Sequence, residues 1–237
     1  MRNSKNLLKM ITLSMLIALG VVISPILRVE GMCPMAHFIN IVCSVFLGPW
    51  YSLLCATLIG IIRMLTMGIP PIALTGAVFG AFLSGVFYRL SKGRILFAVL
   101  GEIIGTGILG AIASYPVMTF LWGKEGLSWL FYVPSFICGT LIGGSIAYVF
   151  LRKFAANGML VKIQTTLGSV GYTDHVSLFA DTLSIAALGG ILFVVFELAA
   201  DIFSLNGPVW DNISYSSLGI CAMAALVYYI TKKVKAN

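Results

Sequence analysis

Charge is what this sequence has least of. Only 10% of its 237 residues are charged, eight of them acidic, and it has two histidines. A soluble domain carries about 25% charged residues. With 59% hydrophobic residues, the scarcity excludes an ordinary soluble globule. It indicates an integral membrane protein with room for seven or eight helices of ~20 residues. So few carboxylates and histidines also leave little for catalysis. There is no H-E-x-x-H, no G-x-S-x-G and no cluster of carboxylates beside a histidine. A membrane-embedded enzyme acting on lipid or isoprenoid substrates is the rival class. It would show Asp-rich metal-binding motifs at an inner helix end, and none is present. The sequence is therefore read as a non-enzyme with no cofactor and no metal. No G-x-x-x-x-G-K-[ST] occurs, so there is no P-loop, and active transport would draw its energy from partners.

Cysteine pairing is missing too. Cys43, Cys55, Cys138 and Cys221 lie inside apolar runs, Cys33 lies in a polar loop, and no C-x-x-C occurs. That argues against a disulfide framework and a zinc site. In a soluble chain the net charge of +7 would point to nucleic acid. Here the basic residues flank apolar runs, which is a topology signal, and no nucleic-acid partner is expected.

The apolar runs fall at roughly 7–27, 36–48, 50–67, 72–90, 95–121, 129–151, 179–204 and 213–231. They do not alternate as barrel strands would, and only helices otherwise span lipid. The fold expected is an all-α integral membrane protein. Residues 1–151 form a membrane domain, 152–178 a cytoplasmic linker, and 179–237 a C-terminal transmembrane helix pair. Part of the linker is a candidate for a helix on the membrane surface. The run from Met10 to Leu27 is longer than a signal-peptide core of ~7–15 residues, and no A-x-A site precedes Arg28; it is read as a retained first helix.

With the N-terminus inside, 12 of the 15 Lys and Arg fall on inner segments: Arg2, Lys5, Lys9, Arg89, Lys92, Arg94, Arg152, Lys153, Lys162, Lys232, Lys233 and Lys235. Arg28, Arg63 and Lys124 are the remainder. The imbalance puts both termini in the cytoplasm and implies an even number of spans in a multi-pass protein of the cell membrane. Residues 28–37, 68–71, 122–128 and 205–212 then face outward.

The stretch from Arg28 to Arg63 organises the rest. His37 and Asn40 are three apart and share a helix face. Gly48-Pro49 breaks the next run beside Trp50-Tyr51, and Arg63 stands in an apolar sequence. An ionisable residue at membrane depth is a functional-site candidate, with snorkelling to a headgroup as the alternative. If Trp50 marks the inner side, Arg63 lies about 20 Å up its helix, and Tyr115 lies about 30 Å up the helix rising from Ile95. Tyr132 opens the next helix from the outer side. His37, Asn40, Arg63, Tyr115 and Tyr132 therefore form a candidate binding set near the outer surface. Ring faces for stacking and directional hydrogen bonds suit a small heteroaromatic ligand. Glu102, only about 10 Å up its helix, need not touch a ligand entering from outside, and pairing within the bundle is the alternative role. The glycines of Gly101-Glu-Ile-Ile-Gly105-Thr-Gly107 suit close helix packing. Ser14/Ala18 and Gly20/Ser24 are small-xxx-small pairs on the first helix. Asp174-His175 reads as solvated surface. Glu197 and Asp201 share a face near an outer end, either as an interfacial acidic edge or as a cation or partner contact.

Pro34-Met-Ala-His37-Phe-Ile-Asn40, Leu47-Gly-Pro-Trp-Tyr51, Ile59-Gly-Ile-Ile-Arg63, Gly101–Gly107, Ala113-Ser-Tyr-Pro116 and Phe131-Tyr-Val-Pro134 resemble the ThiW family over roughly residues 7–151. Where that pattern is expected to have a Phe-Pro-Gly-Ser type of turn, this chain has Ala73-Leu-Thr-Gly-Ala77. The resemblance implies the substrate-binding (S) component of an energy-coupling factor (ECF) transporter. It implies a six-helix bundle over 7–151, to which the C-terminal pair is additional. The ligand implied is a thiamine precursor, hydroxyethylthiazole, with an S component for another vitamin precursor as the alternative. It also implies separate scaffold and ATPase subunits, with Ser14 and Ala18 facing the scaffold.

Overall fold

The computed structural model describes residues 2–26, 32–172, 178–204 and 208–236. Arg28 and the Asp174-His175 pair fall outside these, as do residues 205–207 of the expected 205–212 outer segment and the side chain of Asp201. The chain divides into two compact units, Met1–Asp174 and His175–Asn237.

Every described element is helical, and the helices fall on the apolar runs. In the first unit these are α1 (Arg2–Ile23), α2 (Pro34–Leu47), α3 (Pro49–Met67), α4 (Ile72–Leu90), α5 (Ile95–Leu121), α6 (Val133–Ala156) and the short α7 (Met159–Thr166). The second unit holds α8 (Leu178–Phe203) and α9 (Pro208–Ala236). Among the described residues, α1, α3, α4, α5, α6 and α9 each contain a stretch long and apolar enough to cross a membrane. Helix α2 has 14 residues and rises only about 21 Å, short of a ~30 Å hydrocarbon core. Gly48 and Pro49 fix its C-terminal end. Gly48 sits at φ 94°, where only glycine is relaxed, and Pro49 starts α3 at a position that needs no backbone donor. The chain therefore enters α2 from well inside the bundle.

Helices α4 and α5 meet backbone to backbone. A Cβ on Gly105 would lie 2.6 Å from Gly80 Cα, and one on Gly101 would lie 2.5 Å from the Leu83 carbonyl. Small residues give such approach in lipid, where water supplies no drive to associate. Along this contact α5 leaves α-geometry for π-helical turns at Ile103–Gly110 and again at Val117–Leu121. Such turns widen the helix and gather at functional sites.

Helix α7 lies in the segment read as a linker. Its Gln164 is fully buried and donates to the Val45 carbonyl (2.8 Å) and to Tyr88 Oη (2.9 Å). Its side-chain oxygen accepts the Tyr172 amide at 3.3 Å. The polar amide thus closes the end of the bundle where α2 stops. In the second unit, α8 and α9 pack through Gly189 against Cys221 and through the Phe193–Tyr215 ring pair at 5.4 Å. Glu197 is exposed there.

Candidate functional site

The first unit contains a cavity with about 530 Å³ of atom-free space, its mouth included. Five helices supply its wall. The entry to α2 gives Cys33, Ala36 and His37; α3 gives Arg63; Ile69 and the first turns of α4 give Ile72, Ala73, Gly76 and Ala77; α5 gives Thr106 and α6 gives Phe136. The segment Ala73–Ala77 thus contributes small residues where the sequence pattern pointed to a bulkier turn. Phe136 presses on Gly76, where a Cβ would come within 2.7 Å of its ring. Glycine is what lets the ring close that side.

Behind the wall lies a buried polar cluster centred on Glu102, which is fully buried. Its Oε1 accepts from three side chains: His37 Nδ1 at 2.9 Å, Asn40 Nδ2 at 3.0 Å and Thr106 Oγ1 at 3.1 Å. A buried carboxylate is expensive unless donors surround it. The second oxygen, Oε2, has no partner among the described residues and points at Gly80, where a Cβ would lie 2.8 Å away. His37 and Asn40, one helical turn apart on α2 as their spacing requires, grip Glu102 from one side. Thr106, four residues on in α5, holds it from its own helix. With Nδ1 donating to Glu102, the neutral His37 ring carries its lone pair on Nε2. Glu102 therefore fixes both the tautomer and the plane of a cavity-lining ring, as a carboxylate does for a metal-binding histidine.

Arg63 also lines the cavity, is 4% exposed, and has its Nε buried without a partner among the described residues. Asn40 stands behind the wall with Glu102. Tyr115 stacks on Trp129 with ring centroids 4.4 Å apart. Tyr132 is buried against Phe131 and Phe136 at 5.1 and 5.8 Å. Through Phe136 it touches the wall from behind. His37, Asn40 and Arg63 thus gather at the cavity, while the two tyrosines join aromatic clusters beside it. Sequence reasoning left Glu102 aside as a pairing residue and gave no part to Thr106. An intramembrane carboxylate four residues before a threonine was the available signal.

On α1 the two small-residue pairs part ways. Gly20 is buried against Ile59 and Ile39, and the Ser24 hydroxyl turns back onto the Gly20 carbonyl. Ser14 and Ala18 are exposed, along with Leu7, Ile11, Met15, Leu19 and Val22.

An all-helical bundle of membrane length, with a cavity whose few polar side chains are held from behind, defines a multi-pass membrane protein suited to carrying a small molecule. Comparison with known families is consistent with that class. Residues 10–157 match the family model described as "Thiamine-precursor transporter protein (ThiW)", and the chain belongs to that family, a transporter family and not an enzyme family. No curated protein and no solved structure matches the chain.

Proposed function

We propose that this chain is the substrate-binding component of an energy-coupling factor transporter and that it holds hydroxyethylthiazole in the cavity of the first unit. The observation that carries this reading is the convergence of His37 and Arg63 on one small cavity, with Glu102 and Asn40 fixing His37 from behind. A thiazole has one ring nitrogen, a flat face and a hydroxyl arm. The free Nε2 of the oriented imidazole accepts from the hydroxyl, and Phe136 offers a ring face. The aromatic groups of Tyr115 and Tyr132 support that side of the cavity. The chain has no P-loop, so ATP hydrolysis belongs to separate subunits. The exposed Ser14 and Ala18 on α1 suit docking of a membrane scaffold. Both termini face the cytoplasm, a reading the distribution of Lys and Arg supports. The first unit forms the substrate-binding domain, and α8 with α9 stands outside the site.

Mass spectrometry of whatever small molecule co-purifies with the chain tests the reading. A thiazole with an oxygen-bearing arm, displaced by added hydroxyethylthiazole, is the expected finding. A non-thiazole ligand that hydroxyethylthiazole does not displace would overturn it.

A further inference from the structure

We propose that the ligand reaches this cavity carrying an anionic oxygen group, a carboxylate or a phosphate ester, and that Arg63 receives it. The proposal rests on the reading of the cavity as a thiazole site and specifies the chemistry at the end of the ligand's arm.

The first observation is Arg63 itself. It is 4% exposed, it lines the cavity, and its Nε has no partner among the described residues. A guanidinium cannot shed its proton inside a protein. Taking such an ion out of water is costly unless an opposite charge and hydrogen bonds meet it. The described residues hold no such partner: no salt bridge among them includes Arg63. Glu102, the one carboxylate in helices α1 to α6, gives Oε1 to His37, Asn40 and Thr106 behind the wall and turns Oε2 toward Gly80.

The second observation is the polarity of the wall. Among the described residues its lining includes no Asp or Glu. Two helices begin at it. Ala36 and His37 lie in the first turn of α2, and Ile72 and Ala73 in the first turn of α4, and neither helix has a side-chain cap. Helix N-termini carry partial positive charge and favour anions. A buried arginine and two helix starts therefore bias the same cavity in the same sense. A neutral hydroxyl satisfies one donor of the guanidinium. A carboxylate or phosphate satisfies two in parallel and neutralises it.

The test is equilibrium binding to the full chain in detergent with three thiazoles of one ring structure, whose arms end in an alcohol, a carboxylate or a phosphate monoester. At least one anionic form is expected to bind the wild type about tenfold or more tightly than the alcohol, because charge-assisted bonds are roughly twice as strong. The tighter of the two anions identifies which group the site takes. In Arg63→Gln the preference should fall away, and Arg63→Lys should keep the charge but lose the bidentate part. The wild-type ranking decides the matter even if a variant fails to fold. An alcohol that binds as tightly as both anions would mean the guanidinium is neutralised within the chain; it would overturn this inference and leave the thiazole reading intact. An anion preference that survives in a folded Arg63→Gln protein would place the anion elsewhere and also overturn it. Failure of all three thiazoles to bind would overturn both.

Discussion

Replacing Glu102 separates what holds the cavity wall from what touches the ligand. Glu102→Ala strips the acceptor from His37 Nδ1, Asn40 Nδ2 and Thr106 Oγ1 at once. A buried donor left without a partner costs ~1–3 kcal/mol. Asn40 keeps a long contact to the Ala77 carbonyl at 3.5 Å, so two donors are fully orphaned, and the fold should lose about 2–6 kcal/mol. That is a large share of a typical ~5–15 kcal/mol stability. Glu102→Gln keeps one oxygen in place for the three donors. It sets an amide N–H₂ toward Gly80 where Oε2 now stands, at a cost of about 1–3 kcal/mol. Ligand affinity should split the two variants further. In Glu102→Ala the His37 ring loses a hydrogen bond to a charged group worth ~1.5–3 kcal/mol, and its freedom should weaken hydroxyethylthiazole binding by about ten- to a hundredfold. Glu102→Gln should stay within about threefold of wild type. Isothermal calorimetry in detergent, beside thermal unfolding followed by tryptophan fluorescence, measures both quantities. If Glu102→Ala binds as wild type does, or if the two variants lose affinity equally while melting alike, Glu102 does not act by fixing His37.

Four further outcomes are expected. The wild type should bind hydroxyethylthiazole about tenfold or more tightly than its deoxy analogue, because a site built for a hydroxyl is left with unpaired groups when it is missing; His37→Ala should narrow that gap, and equal affinities in wild type would show that no group reads the hydroxyl. Ser14→Leu or Ala18→Leu should reduce co-purification of a scaffold subunit and leave thiazole binding unchanged; recovery of scaffold at the wild-type level would remove that face of α1 from the interface. An impermeant thiol reagent should modify Cys33 in intact cells, with ligand protecting it because Cys33 lines the cavity; modification only after lysis would reverse the orientation. A chain ending after Tyr172 should bind hydroxyethylthiazole fully, whereas one ending after Lys153 should melt lower for want of the Gln164 bonds to Val45 and Tyr88; lost binding in a folded 1–172 chain would bring α8 and α9 into the site.

The helices were legible because each is a long apolar run, and in lipid the backbone has no other way to satisfy its polar groups. Arg63 stood out for the same reason, as a charge where charge is costly. Position along a helix was readable from the rise per residue, but direction around it was not. That is why Tyr115 and Tyr132 could be placed near one end without revealing that they turn toward Trp129 and Phe136. The height argument also set Glu102 too far from the site. It measured rise along α5 alone, whereas α2 starts part-way through the bundle and brings His37 to the carboxylate. By their own chemistry Gly76, Ala73 and Ala77 read as packing, as small residues in a membrane helix do; only the family resemblance marked that segment.

The π-helical stretch of α5 has a consequence for the chain's tolerance of length changes. An α-helix advances about 100° per residue, so one residue inserted or deleted turns everything beyond it by about that angle. Most helices of this bundle would have whole faces re-aimed by such a change. Within Ile103–Gly110 the backbone is already wound more loosely than an α-helix. Loss of one residue there could be absorbed by tightening that stretch, leaving Tyr115 and the second loose turn at Val117–Leu121 in their present phase. Lineages of this transporter that differ by a single codon in length would be expected to differ here.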